Sequence, residues 1–145
     1  MVVPAELSTP TAAREAWRSF WRIFMEDKRR RWAILSELGI SPQQSMALST
    51  LKPGEPMPMS ALADALHCDN SNITGIVDRL EAAGLAERRP SERDRRVKAV
   101  ALTEKGEWMR VQIETRVGEP PPRIAALSAK DAIALRDILS RALES

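Results

Sequence analysis

One histidine and one cysteine stand side by side at His67-Cys68, and the chain of 145 residues has no tyrosine. That pair supports neither metal binding nor covalent catalysis. A structural zinc site takes four nitrogen or sulfur ligands, and no further His or Cys exists to supply them. A nucleophilic thiol needs a base that a third group orients, and here the sole candidate base is the thiol's neighbour on one short turn. No Gly-rich phosphate loop accompanies them. The expected catalytic residues, metal ligands and cofactors are therefore none, and the chain is not read as an enzyme. Cys68 is expected to pack in its turn as a small apolar group.

The chemistry these residue types do support is hydrogen bonding at a close surface and neutralisation of phosphate. Residues 70–82 read Asn-Ser-Asn-Ile-Thr-Gly-Ile-Val-Asp-Arg-Leu-Glu-Ala. Ile73, Ile76, Val77 and Leu80 recur at three- and four-residue spacing and predict one buried helix face. The opposite face centres on Ser71, Gly75, Asp78 and Ala82, with Asn72, Thr74 and Arg79 on its flanks. A face of small hydrogen-bonding groups suits the floor of a DNA major groove, where base edges offer both donors and acceptors. Residues 85–98 follow with six basic side chains (Arg88, Arg89, Arg93, Arg95, Arg96, Lys98) against Glu87, Glu92 and Asp94. Their net charge of +3 exceeds the +2 of the whole chain, so the rest sums to −1. Such a run is an ordinary solvated hairpin tip or an arm that meets phosphates and a minor groove. Joined to the preceding helices, it favours the arm.

The elements that must position these groups are a short support helix at about Ser60–Leu66, a turn, the helix above, and two short extended runs joined by a charged tip. The support helix buries Leu62, Ala63 and Leu66. The ordered set Asn-Ile-Thr-x-Ile-Val-Asp-Arg-Leu-Glu-x-x-Gly-Leu-x-x-Arg, then Asp94-Arg-Arg96, then Leu-Thr-x-x-Gly at Leu102–Gly106, resembles the MarR family of bacterial transcriptional regulators. It does so closely over residues 34–110 and loosely at both ends. The resemblance implies a winged helix-turn-helix, a homodimer, a palindromic operator on double-stranded DNA, and often a small aromatic or acidic effector. It places Ser71, Asn72 and Thr74 at bases or adjacent phosphates, Arg79 and Arg95 at phosphate, and Arg96 in the minor groove, with Gly75 on the same DNA-binding face. Asp94 would brace the wing turn by pairing with an arginine. Asp78 would be held by Arg79 or by an arginine of the wing. Some members sense organic hydroperoxides through a cysteine in the first helix; this chain has none there. Gly75 departs from the family, where a larger polar or basic residue is common. Either the backbone approaches DNA closely at that point, or a base contact made by relatives is missing.

The fold class expected is mainly α with a small β-wing, flanked by N- and C-terminal dimerisation helices. Residues 1–10 read as a flexible N-terminus. Residues 11–38 read as one long helix whose stripe of Ala13, Trp17, Phe20, Trp21, Phe24, Trp32 and Leu35 is unusually aromatic. Those rings either pack in the core or meet a partner subunit and line an effector pocket that includes Trp17, Trp21 and Trp32. Lys28–Arg31 reads as a solvated basic face, with phosphate or an acidic effector as the alternative. The DNA-binding domain spans 39–102, beginning with Ser41-Pro42-Gln43-Gln44, a capping box with proline at the first helical position. Residues 103–145 supply a linking helix capped by Thr103, a break at Gly118-Glu-Pro-Pro-Pro122, and a last helix at Ala129–Leu143 that pairs with 11–38. Ile133, Leu135, Ile138, Leu139, Ala142 and Leu143 form its apolar face. No secretory leader or membrane span is evident, and a single cysteine fits a reducing compartment, so a cytoplasmic location is expected. The reading that competes is a winged-helix module for protein contact without sequence-specific DNA binding.

Overall fold

The fold is described from a computed structural model of residues 10–145; the expected flexible N-terminus falls, but for Pro10, outside the described residues. Eight helices and three strands follow one another in this range: α1 (Thr11–Glu26), α2 (Lys28–Leu38), α3 (Pro42–Thr50), β1 (Met57–Pro58), α4 (Met59–Ala65), α5 (Asn70–Ala82), β2 (Ala86–Pro90), β3 (Lys98–Leu102), α6 (Glu104–Val117), α7 (Pro122–Ala125) and α8 (Ala129–Leu143). The chain divides into two compact units, one of residues up to Arg29 together with Pro120–Ser145, the other Arg30–Glu119. The helix that follows the wing, α6, falls with the second.

The Arg30–Glu119 unit holds the core. Leu48, Leu51, Leu62, Ile73, Val77, Leu80, Leu85 and Val100 are fully buried there, and the α5 stripe is the one its spacing predicts. Leu62 and Ala63 of α4 are buried with it, while Leu66 and Cys68 are half-buried at its edge. Local chemistry sets the helix ends. Ser41 Oγ accepts from the Gln44 N–H at 3.1 Å while Gln44 Oε1 accepts from the Ser41 N–H at 2.8 Å, completing the capping box. Helices α2, α4 and α5 each end in a left-handed residue with paired backbone bonds. Gly39 and Gly84 take that role in two of them, whereas His67 takes it after α4 with φ 51°.

The three strands form an antiparallel sheet in the order β1-β3-β2. Arg88 pairs with Val100, and Val100 with Met57, so the three share the sheet face turned to the core. Arg89, Ala99 and Pro58 share the other.

Thr103 then ties the wing to α6. Its hydroxyl donates to the Gly84 carbonyl at 2.6 Å and accepts the Gly106 N–H at 3.0 Å. A β-carbon on Gly106 would stand 1.9 Å from the Leu85 carbonyl oxygen. The Leu-Thr-x-x-Gly stretch is thus a capped helix start pressed onto the turn that opens the wing. At the far end of α6, Arg30 Nη2 donates to the Glu119 carbonyl at 2.9 Å and Nη1 to the Arg116 carbonyl at 3.4 Å. Arg30, half-exposed, thus also closes a helix C-terminus.

The other unit contains α1, α7 and α8. The long first helix expected over 11–38 is two helices, broken at Asp27, which is buried and whose N–H turns back to the Ile23 and Met25 carbonyls. A hydrophobic repeat does not register a one-residue break of this kind. The short α7 was also not anticipated; Pro122 at its first position pre-sets the helical φ. Ser128 caps α8 by accepting the Asp131 N–H at 3.1 Å. Glu26 accepts from Arg22 at 3.0 Å and from Arg123 at 2.7 Å, and these two hydrogen bonds hold its carboxyl below the usual range. No residue of α1, α7 or α8 is buried. Trp17 is 62% exposed, and Phe20, Trp21, Phe24, Ile133, Ile138 and Leu139 are also exposed.

Candidate nucleic-acid interface

Helix α5 begins at its N-cap, Asp69. Its carboxylate accepts the Asn72 backbone N–H and the Ser71 hydroxyl, both at 2.8 Å. These bonds, the backbone one first, hold the Asp69 pKa below its ordinary 3.8. The sequence reading had passed over Asp69, although an Asp directly before an apolar-periodic stretch is an N-cap signal.

Of the residues expected to contact DNA, Ser71, Asn72, Thr74 and Arg79 are exposed and Gly75 is half-exposed. Their hydrogen-bonding freedom differs. Ser71 spends its proton on Asp69, and Thr74 spends its own on the Asn70 carbonyl at 2.7 Å. Each keeps only acceptor capacity outward. The Asn72 amide and the Arg79 guanidinium carry no intramolecular bond among those described for this unit.

Asp78 is held by the wing, the second of the two partners expected for it. Arg88 Nη2 donates to Asp78 Oδ1 at 2.7 Å and to the Thr74 carbonyl at 3.3 Å, while Nη1 meets Glu81 Oε1. Burial disfavours charge on Arg88, but Asp78 and Glu81 more than offset it and raise its pKa above the ordinary value. One guanidinium therefore staples β2 to α5. Neither Arg88 nor Glu81 had been singled out for this role, since a partner seven or ten residues away across a turn has no local signature.

At the wing tip, the Asp94 carboxylate accepts the Arg96 backbone N–H at 3.0 Å, and the Val97 N–H donates to the Asp94 carbonyl at 3.0 Å. The bonds described for Asp94 thus close the turn through the backbone, where the sequence reading had expected an arginine side chain. Arg95 borders an open depression with Arg89, Arg93, Pro56, Pro58 and Pro90. Arg96 does not line it. A second, smaller depression is bordered by Gln43, Met46, Leu66, His67, Cys68, Asn72 and Ile76. No group of three or more His, Cys, Asp or Glu able to hold a metal ion occurs among the described residues.

In the other unit, Trp17 and Trp21 lie side by side with ring centroids 6.3 Å apart, and Phe20 and Phe24 continue the ladder. Trp32 is exposed on α2, in the Arg30–Glu119 unit, so each unit holds part of the expected effector-binding set.

The profile of the MarR family matches residues 40–98, from just after α2 to the first residue of β3. The transcriptional regulator PecS of Dickeya dadantii is 31% identical over 112 residues, covering 74% of this chain and 68% of PecS. The chain belongs to the MarR family. This winged helix-turn-helix family of transcriptional regulators is non-enzymatic. The MarR-like fold extends to the end helices: the reduced form of Escherichia coli MarR aligns with TM-score 0.74 at 26% identity, over 93% of this chain and 97% of that one. The Escherichia coli K12 repressor MprA is 43% identical over 75 residues, half of this chain and 43% of MprA. The matched stretches cover 43–70% of the curated relatives' own lengths. No helix among the described residues is long and apolar enough to cross a membrane.

Proposed function

We propose that this MarR-family protein is a cytoplasmic, homodimeric repressor that covers a palindromic operator and is released by a small aromatic or acidic effector. The observation that carries the DNA part is the Arg88 staple. It presents α5 and the wing as one rigid surface, with Asn72 and Arg79 unbonded on the helix and Arg95 and Arg96 at the tip. Asn72 contacts a base, Arg79 and Arg95 contact phosphate, and Arg96 enters the minor groove, where narrow sequences focus negative potential. Ser71 and Thr74 act as acceptors to base amino groups or as close apolar contacts.

The exposed apolar faces of α1 and α8 support the dimer. So many large rings and aliphatic groups in water are expected to find a partner, and a two-fold axis would set two reading helices about one helical turn apart. Repression is the activity that MprA's name records for that relative. The aromatic ladder on α1 supports an aromatic ligand, which releases DNA if it prefers the dimer spacing that cannot dock.

The test is duplex selection from random sequence, followed by anisotropy titration of the selected duplex at several salt concentrations. A palindromic consensus and a steep negative dependence of affinity on salt are expected. Weak, salt-insensitive binding without a consensus would favour a protein-contact module instead. A panel of aromatic carboxylates should quench tryptophan fluorescence and weaken the same complex together.

A further inference from the structure

Gly75 lies in the middle of α5 with ordinary helical backbone, and a β-carbon built there meets nothing within 4 Å. Nothing among the described residues requires a glycine at this position. Gly106 is the contrast, where the chain itself forbids a side chain. Glycine in a helix interior is unfavourable relative to alanine, so the reason for Gly75 has to lie outside the described contacts.

Its neighbours on the helix surface are informative. Asn72 and Arg79 stand at i−3 and i+4 from it on one side, both side chains without a partner among the described residues. On the other side the Thr74 carbonyl and Asp78 are occupied by Arg88. The missing side chain therefore leaves a hollow between a free amide and a free guanidinium, bounded on its far flank by the wing staple. The Asn72 amide offers one donor and one acceptor, the pattern that pairs with N7 and N6 of adenine in the major groove. No Lys or Arg occurs in residues 70–78 to read guanine. Three residues of helix rise about 4.5 Å, more than one base-pair step of about 3.4 Å and less than two, so the hollow falls beside a pair next to the one Asn72 reaches. The apolar group that projects from a base pair into that groove is the thymine C5-methyl.

We infer that Gly75 is a specificity-determining position, its hollow seating a thymine methyl next to an adenine read by Asn72, so that each half-site has an A·T core. The inference rests on the DNA-binding reading above and specifies what that surface prefers.

The experiment uses the full chain and the duplex it selects from random sequence, with a scrambled duplex as control. Gly75→Ala should raise the melting temperature, because alanine is the better helix former and has room. The same variant should lose about tenfold in affinity for the selected duplex, the loss typical of one misfitted base pair, and none for the scrambled one. Replacing thymine by uracil at one position per half-site should cost the wild type roughly three- to fivefold, as expected for one buried methyl, and cost Gly75→Ala nothing there. Replacing the adjacent adenine by 7-deazaadenine should weaken the wild type and leave Asn72→Ala unaffected. A stabilised Gly75→Ala with unchanged affinity for the selected duplex overturns the inference alone, as does insensitivity to uracil at every position. A wild type that does not distinguish the two duplexes overturns both it and the DNA-binding reading.

Discussion

Asp78 on the reading helix and Arg88 on the first wing strand meet at 2.7 Å, Oδ1 to Nη2, and the same guanidinium also holds Glu81 and the Thr74 carbonyl. An acid on the helix face proposed to meet DNA is thereby neutralised from within, and the wing acquires a fixed angle to the helix it accompanies. Arg88→Ala should cost about 1–2 kcal/mol of stability, discounted because Asp78 is largely exposed. It should weaken operator binding further, since two unpaired carboxylates then face phosphate. Arg88→Lys should recover part of the affinity but not the fork geometry. Urea denaturation and anisotropy on the same preparations check both; wild-type affinity in Arg88→Ala would show the staple to be idle.

The Asp94 contact separates charge from geometry. Asp94→Asn keeps an oxygen to accept the Arg96 N–H and removes a negative charge, so DNA binding should hold or strengthen. Asp94→Ala should bind more weakly, because the turn loses its inner bond. If Asp94→Ala binds more tightly than wild type, repulsion outweighs bracing and the turn argument fails.

The two arginines beyond it should differ in kind. Arg96→Ala should cost about 1–3 kcal/mol of operator binding and blunt preference at the flanks of the site. Arg95→Ala should weaken all duplexes evenly and reduce the salt slope by roughly one unit. Identical salt slopes for the two variants would refute the division of labour.

Acid sensitivity should trace in part to Asp69. Its folded pKa lies below the ordinary 3.8, so its capping bonds stabilise the fold fully above that value. The contribution disappears as pH falls through the folded pKa. Asp69→Asn retains a good cap but has no carboxyl to titrate. Melting temperatures measured between pH 5 and pH 2.5 (values chosen on the order of the carboxyl range) should fall less steeply for the variant. Parallel curves would remove Asp69 from the account of acid unfolding.

Gly106→Ala should destabilise by about 1–3 kcal/mol, since the added methyl overlaps the Leu85 carbonyl and α6 must shift to admit it. Calorimetry of this variant beside Gly75→Ala should give shifts of opposite sign. A neutral Gly106→Ala would mean that the start of α6 is free to slide.

Much of the fold is written locally. The Ser41–Gln44 box, the Thr103 and Ser128 caps and the apolar stripe of α5 each depend on residues within one or two turns, and spacing alone reveals them. What spacing cannot reveal is contact across a turn in space. The Arg88 staple joins residues whose separation follows from the path of the α5–β2 turn, and the Asp94 bond depends on how the tip folds back. The break at Asp27 escaped for a different reason: aromatic residues continue on both sides of it, so the pattern reads as unbroken.

The sheet order leaves β1 and β2 as open edges, and each contains a proline, Pro58 and Pro90. Proline cannot donate to an added strand, and Glu87, Arg88 and Arg89 make β2 a charged edge. A wing with two open edges is also a strand ready to recruit its like. The charges and prolines along these edges keep it from polymerising. Charge-neutralising changes along β2 would therefore show their first harm as clouding of concentrated stocks, before any duplex is added.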